Sequence, residues 1–465
     1  MVAAVILFPA CSLLSSTSDR YDRSIVAGFK AGAACSAIFV AGRAESDISG
    51  AELAGMFDEA NSLPAPEVDR EDRVVEVVYD PQREPRRAVF RDGRGCTTLP
   101  PTATRADALA LPQLPIEAPP TSHHLPWPDG EAGVDLQHTE GTGAALHGAL
   151  ARAFDGNSYG DGNETIGVVV VHRGQLIAER YRPGFGPHTP YRTWSVAKSI
   201  TGALIGILVE RGDLHLDGPA PIPEWGADDP RSGITVRHLL HMSSGLPRAG
   251  TVSYPVYFGG ADSIAEITRP ELEVAPGTRW HYANRDTLLL VRSMRSVLGD
   301  ERYHRFPYEA LLWPIGMRHT TPELDAYGNF VLSSQVQSTA RDLARFGLLL
   351  AQDGVWKGQR VLPDGWVDLM RTRAPARATG LVGLWHHGPI GLVAYGGQTW
   401  LPGGLLGLPD DTFAALGSRG QAIVVVPSRD LVVVRTGLDD EPGGVFFRID
   451  KLTNAVIDAL DRGTQ

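Results

Sequence analysis

Ser195-Val196-Ala197-Lys198, followed by Ser199-Ile200-Thr201-Gly202-Ala203-Leu204-Ile205-Gly206-Ile207-Leu208-Val209, decides the reading of this chain. The run after Lys198 is apolar on nearly all sides, so it reads as a helix that must be buried, ending at Gly212. Residues three apart share a helical face, which sets the Lys198 amine beside the Ser195 hydroxyl. Lysine is rare here: Lys30, Lys198, Lys357 and Lys451 are the four among 43 basic residues. Arginine stays protonated and cannot serve as a base, so a lysine at this position carries weight. A serine hydroxyl is a weak nucleophile until a base removes its proton. Lys198 can be that base only if its pKa falls by roughly three units from about 10.4, a shift of about 4 kcal/mol. The competing reading is a serine helix cap followed by an ordinary surface lysine.

Trp280-His281-Tyr282-Ala283-Asn284 stands in a turn-rich stretch ahead of a helix. Tyr282 offers a phenol able to pass a proton to a leaving group, and Asn284 an amide for a substrate carbonyl or for the Lys198 amine. An aromatic anchor and an Asn cap are the alternative.

These residues carry a resemblance. Ser195-Val196-Ala197-Lys198, Tyr282-Ala283-Asn284 and the late Gly417-Ser418-Arg419-Gly420-Gln421 resemble the SxxK, YxN and KTG-like strand motifs of the penicillin-recognising serine hydrolases, most of all class C-like esterases and 6-aminohexanoate-dimer hydrolases. The resemblance covers about residues 140–460. It implies an α+β, β-lactamase/transpeptidase-like fold: an antiparallel sheet flanked by helices, a mostly helical lobe at about 213–375, and a small N-terminal extension. It implies acylation of Ser195, Lys198 and Tyr282 as the proton-transfer pair, and an oxyanion hole from the N–H groups of Ser195 and Gln421. Asn284, Ser418, Arg419, Gly420 and Gln421 are the expected substrate-binding residues. Ser418-Arg419-Gly420 stands where the family often has Lys-Thr-Gly. The lysine that would meet a β-lactam carboxylate is missing, and ester or amide hydrolysis fits better than β-lactam hydrolysis. A β-lactamase or D-amino peptidase of the same fold, and a non-catalytic binding or sensor module, are the alternatives.

The rest of the chain frames that domain. Strands are expected at 166–172 and 175–181, joined as a hairpin, and again at 393–400, 412–416, 422–426 and 431–435. Helices are expected between these groups, with a closing helix over 446–460. Strands at both ends imply one sheet assembled from distant parts of the chain. Residues 1–18 read as an export or lipoprotein signal, with Cys11 a candidate lipid-attachment site and a periplasmic or secreted location as the consequence. Residues 19–100 form a small α/β module, with a strand-like end at 34–40 and strands at 74–79 and 87–90. Residues 101–135 are a proline-rich linker or strap, and the hydrolase domain spans 136–465. Cys35 and Cys96 pair as one disulfide if the chain is exported, or remain two buried thiols if it is not.

A net charge of −11 argues against nucleic acid or anionic lipid as partner. The expected partner is a small ester or amide, with no cofactor and no metal. His238 and His241 stand three apart, and His123-His124 and His386-His387 are adjacent, but no zinc-site spacing joins them. Gly156-Asn157-Ser158-Tyr159-Gly160 matches G-x-S-x-G, yet a helix precedes it where the hydrolase elbow needs a strand. The acidic stretch 155–164 lacks the ligand order of a calcium loop. Trp194, Tyr395 and Trp400 are candidate walls of an acyl pocket.

Overall fold

Ser24-Ile25-Val26-Ala27-Gly28-Phe29-Lys30-Ala31-Gly32-Ala33-Ala34-Cys35 carries one charge in twelve residues, and it folds as the buried part of a long helix, α1 (Ala10–Cys35). The computed structural model describes residues 10–114, 116–120, 124–132, 142–247, 253–378, 394–440 and 444–462. The expected signal at 1–18 lies partly outside the described residues, and α1 runs through its expected end. The stretch Tyr21–Val40 is long and apolar enough to cross a membrane by length and composition, and most of it is buried inside the fold. Its packing partner is a four-stranded antiparallel meander, β1 (Glu67–Asp69), β2 (Val74–Val77), β3 (Arg86–Arg91) and β4 (Gly95–Thr98). The Lys30 amine inside this module donates to Ala60 O at 2.9 Å and Leu63 O at 3.0 Å. A disulfide joins Cys35 to Cys96 and ties the end of α1 to β4.

The expected strand at 34–40 is absent. The chain continues from α1 into a wider helical turn over Ser36–Val40. Ile38-Phe39-Val40 favours a strand locally, but Cys35 and Ile38 are already committed to the module core, and packing overrides propensity. The proline-rich stretch is a strap rather than a free linker. Trp127 is buried, and Glu131 is held by Arg341 at 3.3 Å and by Arg345 at 2.7 Å.

A run of consecutive apolar residues such as Ile166–Val171 makes a stable strand only when both its faces are covered. The sheet that contains it is flanked by helices. In chain order the elements are α2 (Thr142–Arg152), β5 (Thr165–His172), β6 (Gln175–Tyr181), α3 (Ala197–Glu210), α4 (Asn284–Pro307), α5 (Ala340–Ala351), β7 (Ala394–Tyr395), β8 (Trp400–Leu401), β9 (Phe413–Gly417), β10 (Gln421–Val426), β11 (Leu431–Gly437) and α6 (Ile449–Arg462). The spatial order is β7-β8-β9-β10-β11-β5-β6, antiparallel throughout. Side chains alternate across a strand. Val168 and Val170 accordingly join the core with Leu146 of α2 and Leu452 of α6, while Val169 and Val171 join the core with Leu204 of α3 and Phe346 of α5. The pairing of β11 with β5, Val433 opposite Val170, closes the sheet from parts of the chain more than 250 residues apart. The expected strand at 393–400 is reduced to β7 and β8 around a turn, and residue 393 lies outside the described residues.

The Cys35–Cys96 bond closes a loop of 61 residues, and such a closure stabilises the native state by about 2–5 kcal/mol. Replacing both cysteines by alanine is expected to lower the unfolding free energy by about that amount in a denaturant titration.

Candidate active site

The first turn of α3 sets the chemistry. Thr193 N donates to Val336 O at 2.8 Å, and a short tight turn, Trp194–Val196, delivers Ser195 to the head of the helix. Lys198 follows in the first turn of α3 and is 1% exposed. Its Nζ stands 2.9 Å from Ser195 Oγ and donates to Ser333 O at 2.8 Å. No carboxylate is paired with it among the described residues. Burial therefore pushes its pKa well below the ordinary lysine value. Ser333 is held in turn, its hydroxyl 2.6 Å from the buried Tyr257 hydroxyl.

Tyr282 arrives from the other side, just before α4. Its hydroxyl hydrogen-bonds Ser195, and its ring centroid lies 5.0 Å from Lys198 Nζ. Burial raises the phenol pKa, so Tyr282 stays protonated through the neutral range. Trp400 stacks on the Tyr282 ring at 5.3 Å and Tyr395 meets it edge-on at 5.7 Å. The alcohol, the amine and the phenol, 87 residues apart along the chain at the extremes, thus share one site. Asn284, the first residue of α4, lies two positions beyond Tyr282.

The third wall is β9. Gly417 ends that strand directly against the nucleophile turn. A Cβ at this position would stand 2.4 Å from Thr193 O and 3.0 Å from Ser195 N, so the close approach requires glycine.

A family model described as Beta-lactamase matches residues 150–445. The chain belongs to the beta-lactamase family. It is 25% identical over 330 residues to the 6-aminohexanoate-dimer hydrolase of Paenarthrobacter ureafaciens, covering 63% of this chain and 79% of that protein. A family VIII carboxylesterase superposes with a TM-score of 0.55 at 17% identity, covering 68% of this chain and 97% of the other. A penicillin-binding protein homologue from Caulobacter crescentus superposes with a TM-score of 0.51 at 16% identity, covering 69% and 98%. These two structures share the fold. The chain is a hydrolase of the beta-lactamase fold.

Within this beta-lactamase-family domain two sequence expectations need correction. Ser418–Gly420 is a tight reversal between β9 and β10, not the cleft strand itself. Arg419 is 1% exposed, and its guanidinium donates to Leu438 O at 2.8 Å, Ala51 O at 3.1 Å and Asp439 O at 3.2 Å. It ties the reversal to the N-terminal module. Gln421 pairs across the hairpin with Gly417, and its amide donates to Gly437 O at 2.7 Å and Arg419 O at 3.0 Å. Gly417 rather than Gln421 is the strand residue that touches Ser195. Gly420 packs on the buried Arg435–Asp439 pair. Ser418 remains beside the strand end, half-buried. Ser418–Gly420 carries the Gly-rich spelling of the family motif, whereas the strand that ends against Ser195, Phe413–Gly417, has no polar side chain to mark it.

Other expectations resolve simply. Tyr395 and Trp400 wall the Tyr282 ring, whereas Trp194 packs toward the N-terminal module. Ser158 bonds Asp155 in a loop after α2. His238 Nδ1 accepts from Thr235 N at 3.2 Å within its own helix cap, and burial lowers His241 to about 4. Among the described residues no group of three or more His, Cys, Asp or Glu could hold a metal; His123, His386 and His387 lie outside them.

Sequence reading missed Ser333 and Tyr257, which have no motif, and Asp286. Asp286 is 1% exposed and accepts from Ser244 Oγ at 2.7 Å and Ser244 N at 3.3 Å, holding the 243–247 loop against α4. Burial pushes its pKa up to about 7. A raised native pKa means that its stabilising contribution is full below the ordinary carboxylate range and is lost as pH rises toward 7. Asp286→Asn is therefore expected to flatten the fall in unfolding free energy between about pH 4 and pH 7, measured by denaturant titration at several pH values.

Proposed function

We propose that this protein is a serine hydrolase that cleaves ester or amide bonds through an acyl-enzyme on Ser195. One observation carries the reading: a buried lysine with no acidic partner among the described residues, its amine 2.9 Å from Ser195 Oγ. A neutral Lys198 takes the Ser195 proton as Oγ attacks the substrate carbonyl carbon. The carbonyl electron pair moves to oxygen, and the Ser195 N–H at the head of α3, with the Gly417–Ser418 segment of the β9 end, faces that oxyanion. The tetrahedral adduct collapses, the bond to the leaving group breaks, and the leaving oxygen or nitrogen takes its proton from Tyr282, which is replenished from Lys198. Water then attacks the acyl carbon, gives its proton to the same pair, and releases the carboxylic acid with Ser195 restored.

The β9 segment Phe413–Gly417 carries no cation, and Arg419 is turned into the reversal. Among the described residues of that edge no cation is set for the carboxylate of a β-lactam, which favours ester or amide cleavage over β-lactam hydrolysis. Ester and amide chemistry in a 6-aminohexanoate-dimer hydrolase relative and a carboxylesterase of this fold supports the same class. The disulfide supports an oxidising, exported location.

The test is a panel of p-nitrophenyl esters, anilides and a cephalosporin. Ser195→Ala is expected to lower turnover of the active substrate by about three orders of magnitude or more. Tyr282→Phe is expected to lower it by about 10²- to 10⁴-fold. Because the base must be neutral, kcat/KM should rise with pH through the depressed Lys198 pKa and fall about tenfold per unit below it. Wild-type turnover in Ser195→Ala contradicts the proposal.

A further inference from the structure

The chemistry above gives the N-terminal module no part. Its contacts do. Helix α1 touches the hydrolase domain at Gly28, where a Cβ would stand 2.0 Å from Phe258 O. Only glycine permits that approach. Arg86 of β3 donates to the same carbonyl at 3.0 Å and locks the contact. The next residue, Phe29, is 2% exposed. Its ring lies nearly parallel to Trp194, with centroids 6.5 Å apart and planes 18° apart, and edge-on to Phe258 at 5.0 Å. The Arg192 guanidinium lies 5.1 Å from the Trp194 ring centroid and 5.9 Å from that of Phe29.

Trp194 is the residue before the nucleophile, and its φ is +49°. A bulky side chain in the left-handed region costs on the order of 1–3 kcal/mol and persists only where its surroundings over-determine it. Two constraints meet here. Gly417 of β9 presses on the backbone of residues 193–195, its Cβ direction 3.1 Å from Trp194 Cβ. The Trp194 ring is held by Phe29, Phe258 and Arg192. The turn leads directly into Ser195, whose Oγ stands 2.9 Å from Lys198 Nζ.

We propose that Phe29 is a positioning residue for the reaction: the N-terminal module grips the Trp194 ring and, through that turn, holds Ser195 in line with Lys198. The hydrolase site is thus incomplete without residues from the first hundred. This inference rests on the proposed role of Ser195.

The experiment uses the full chain and four variants: Phe29→Ala, Phe29→Leu, Val75→Ala and Ser195→Ala. Val75 is fully buried in the module core, among residues that do not include Trp194, and serves as the stability control. Phe29→Ala is expected to lower kcat by on the order of ten- to a hundredfold with KM changed less than about twofold, since misplacement of a reacting group acts on kcat. The rate of Ser195 labelling by a fluorophosphonate should fall in the same proportion. Phe29→Leu keeps apolar volume without the ring; it should fall between, and it carries the test if Phe29→Ala does not fold. Val75→Ala should lower the thermal midpoint and leave kcat and labelling unchanged below its transition. Wild-type kcat in a folded Phe29 variant, or an equal loss of kcat in Val75→Ala, overturns the proposal. Retained activity in Ser195→Ala is a different result and instead overturns the assignment of the nucleophile.

Discussion

Burial works against the charge of an ammonium group where Lys198 sits. The amine is taken out of water by α3, the Ser333 segment and the Tyr282 ring, and among the described residues it meets two oxygens and no carboxylate. An isolated charge in such a place is costly, so the pKa of the amine is driven well below the ordinary lysine value. Tyr282 is shifted by the same burial in the opposite chemical sense. A phenol loses its proton less readily when dry, so it remains a donor while the amine becomes an acceptor. The same burial thus lowers the pKa of the amine and raises that of the phenol beside it, the pairing that the proposed base and acid roles require. Two titratable groups driven apart by a shared environment are a strong sign of paired acid–base roles.

The rest of the fold serves that dry contact. α3 is buried on nearly every side, which requires a sheet beneath it and helices around it. The sheet is completed by strands from distant parts of the chain: β11 pairs with β5, and β9 ends against the Ser195 turn. Tyr282 comes from the helical lobe between, held by the start of α4 and by the β7–β8 aromatics. The N-terminal module joins the same assembly rather than standing apart. Besides the Gly28 and Phe29 contacts, Ser36 Oγ donates to Glu323 Oε1 at 2.9 Å and Tyr308 donates to Gly93 O at 2.9 Å.

The chemistry was legible where it is local. Ser195 and Lys198 lie within one helical turn, and Tyr282 is set off by turn residues before a helix, so spacing alone raised them. The strands of the main sheet were legible because valine and isoleucine runs leave few alternatives. What escaped depends on contacts that no local pattern encodes. Ser333 and Tyr257 matter through a main-chain carbonyl and a buried hydroxyl pair. Gly417 matters because it is small, and it lies four positions before Gln421, beside a second Gly-containing stretch that carries the motif spelling. Arg419 looked like a stand-in for a substrate cation, but packing turned it toward Leu438 and Ala51. Ile38-Phe39-Val40 looked like a strand and became a helical turn because its neighbour Cys35 is bound to β4.

With four lysines in the chain, the protonation of Lys198 can be read directly. The measurement is a pH titration of protein carrying ¹³C at the lysine ε-carbon, followed by NMR, with Lys198→Met to assign the resonance. A Lys198 signal that titrates well below about 10.4, the lowest of the four, is the predicted result. A Lys198 signal that titrates at the ordinary lysine value would mean that the amine is charged at neutral pH and cannot take the Ser195 proton.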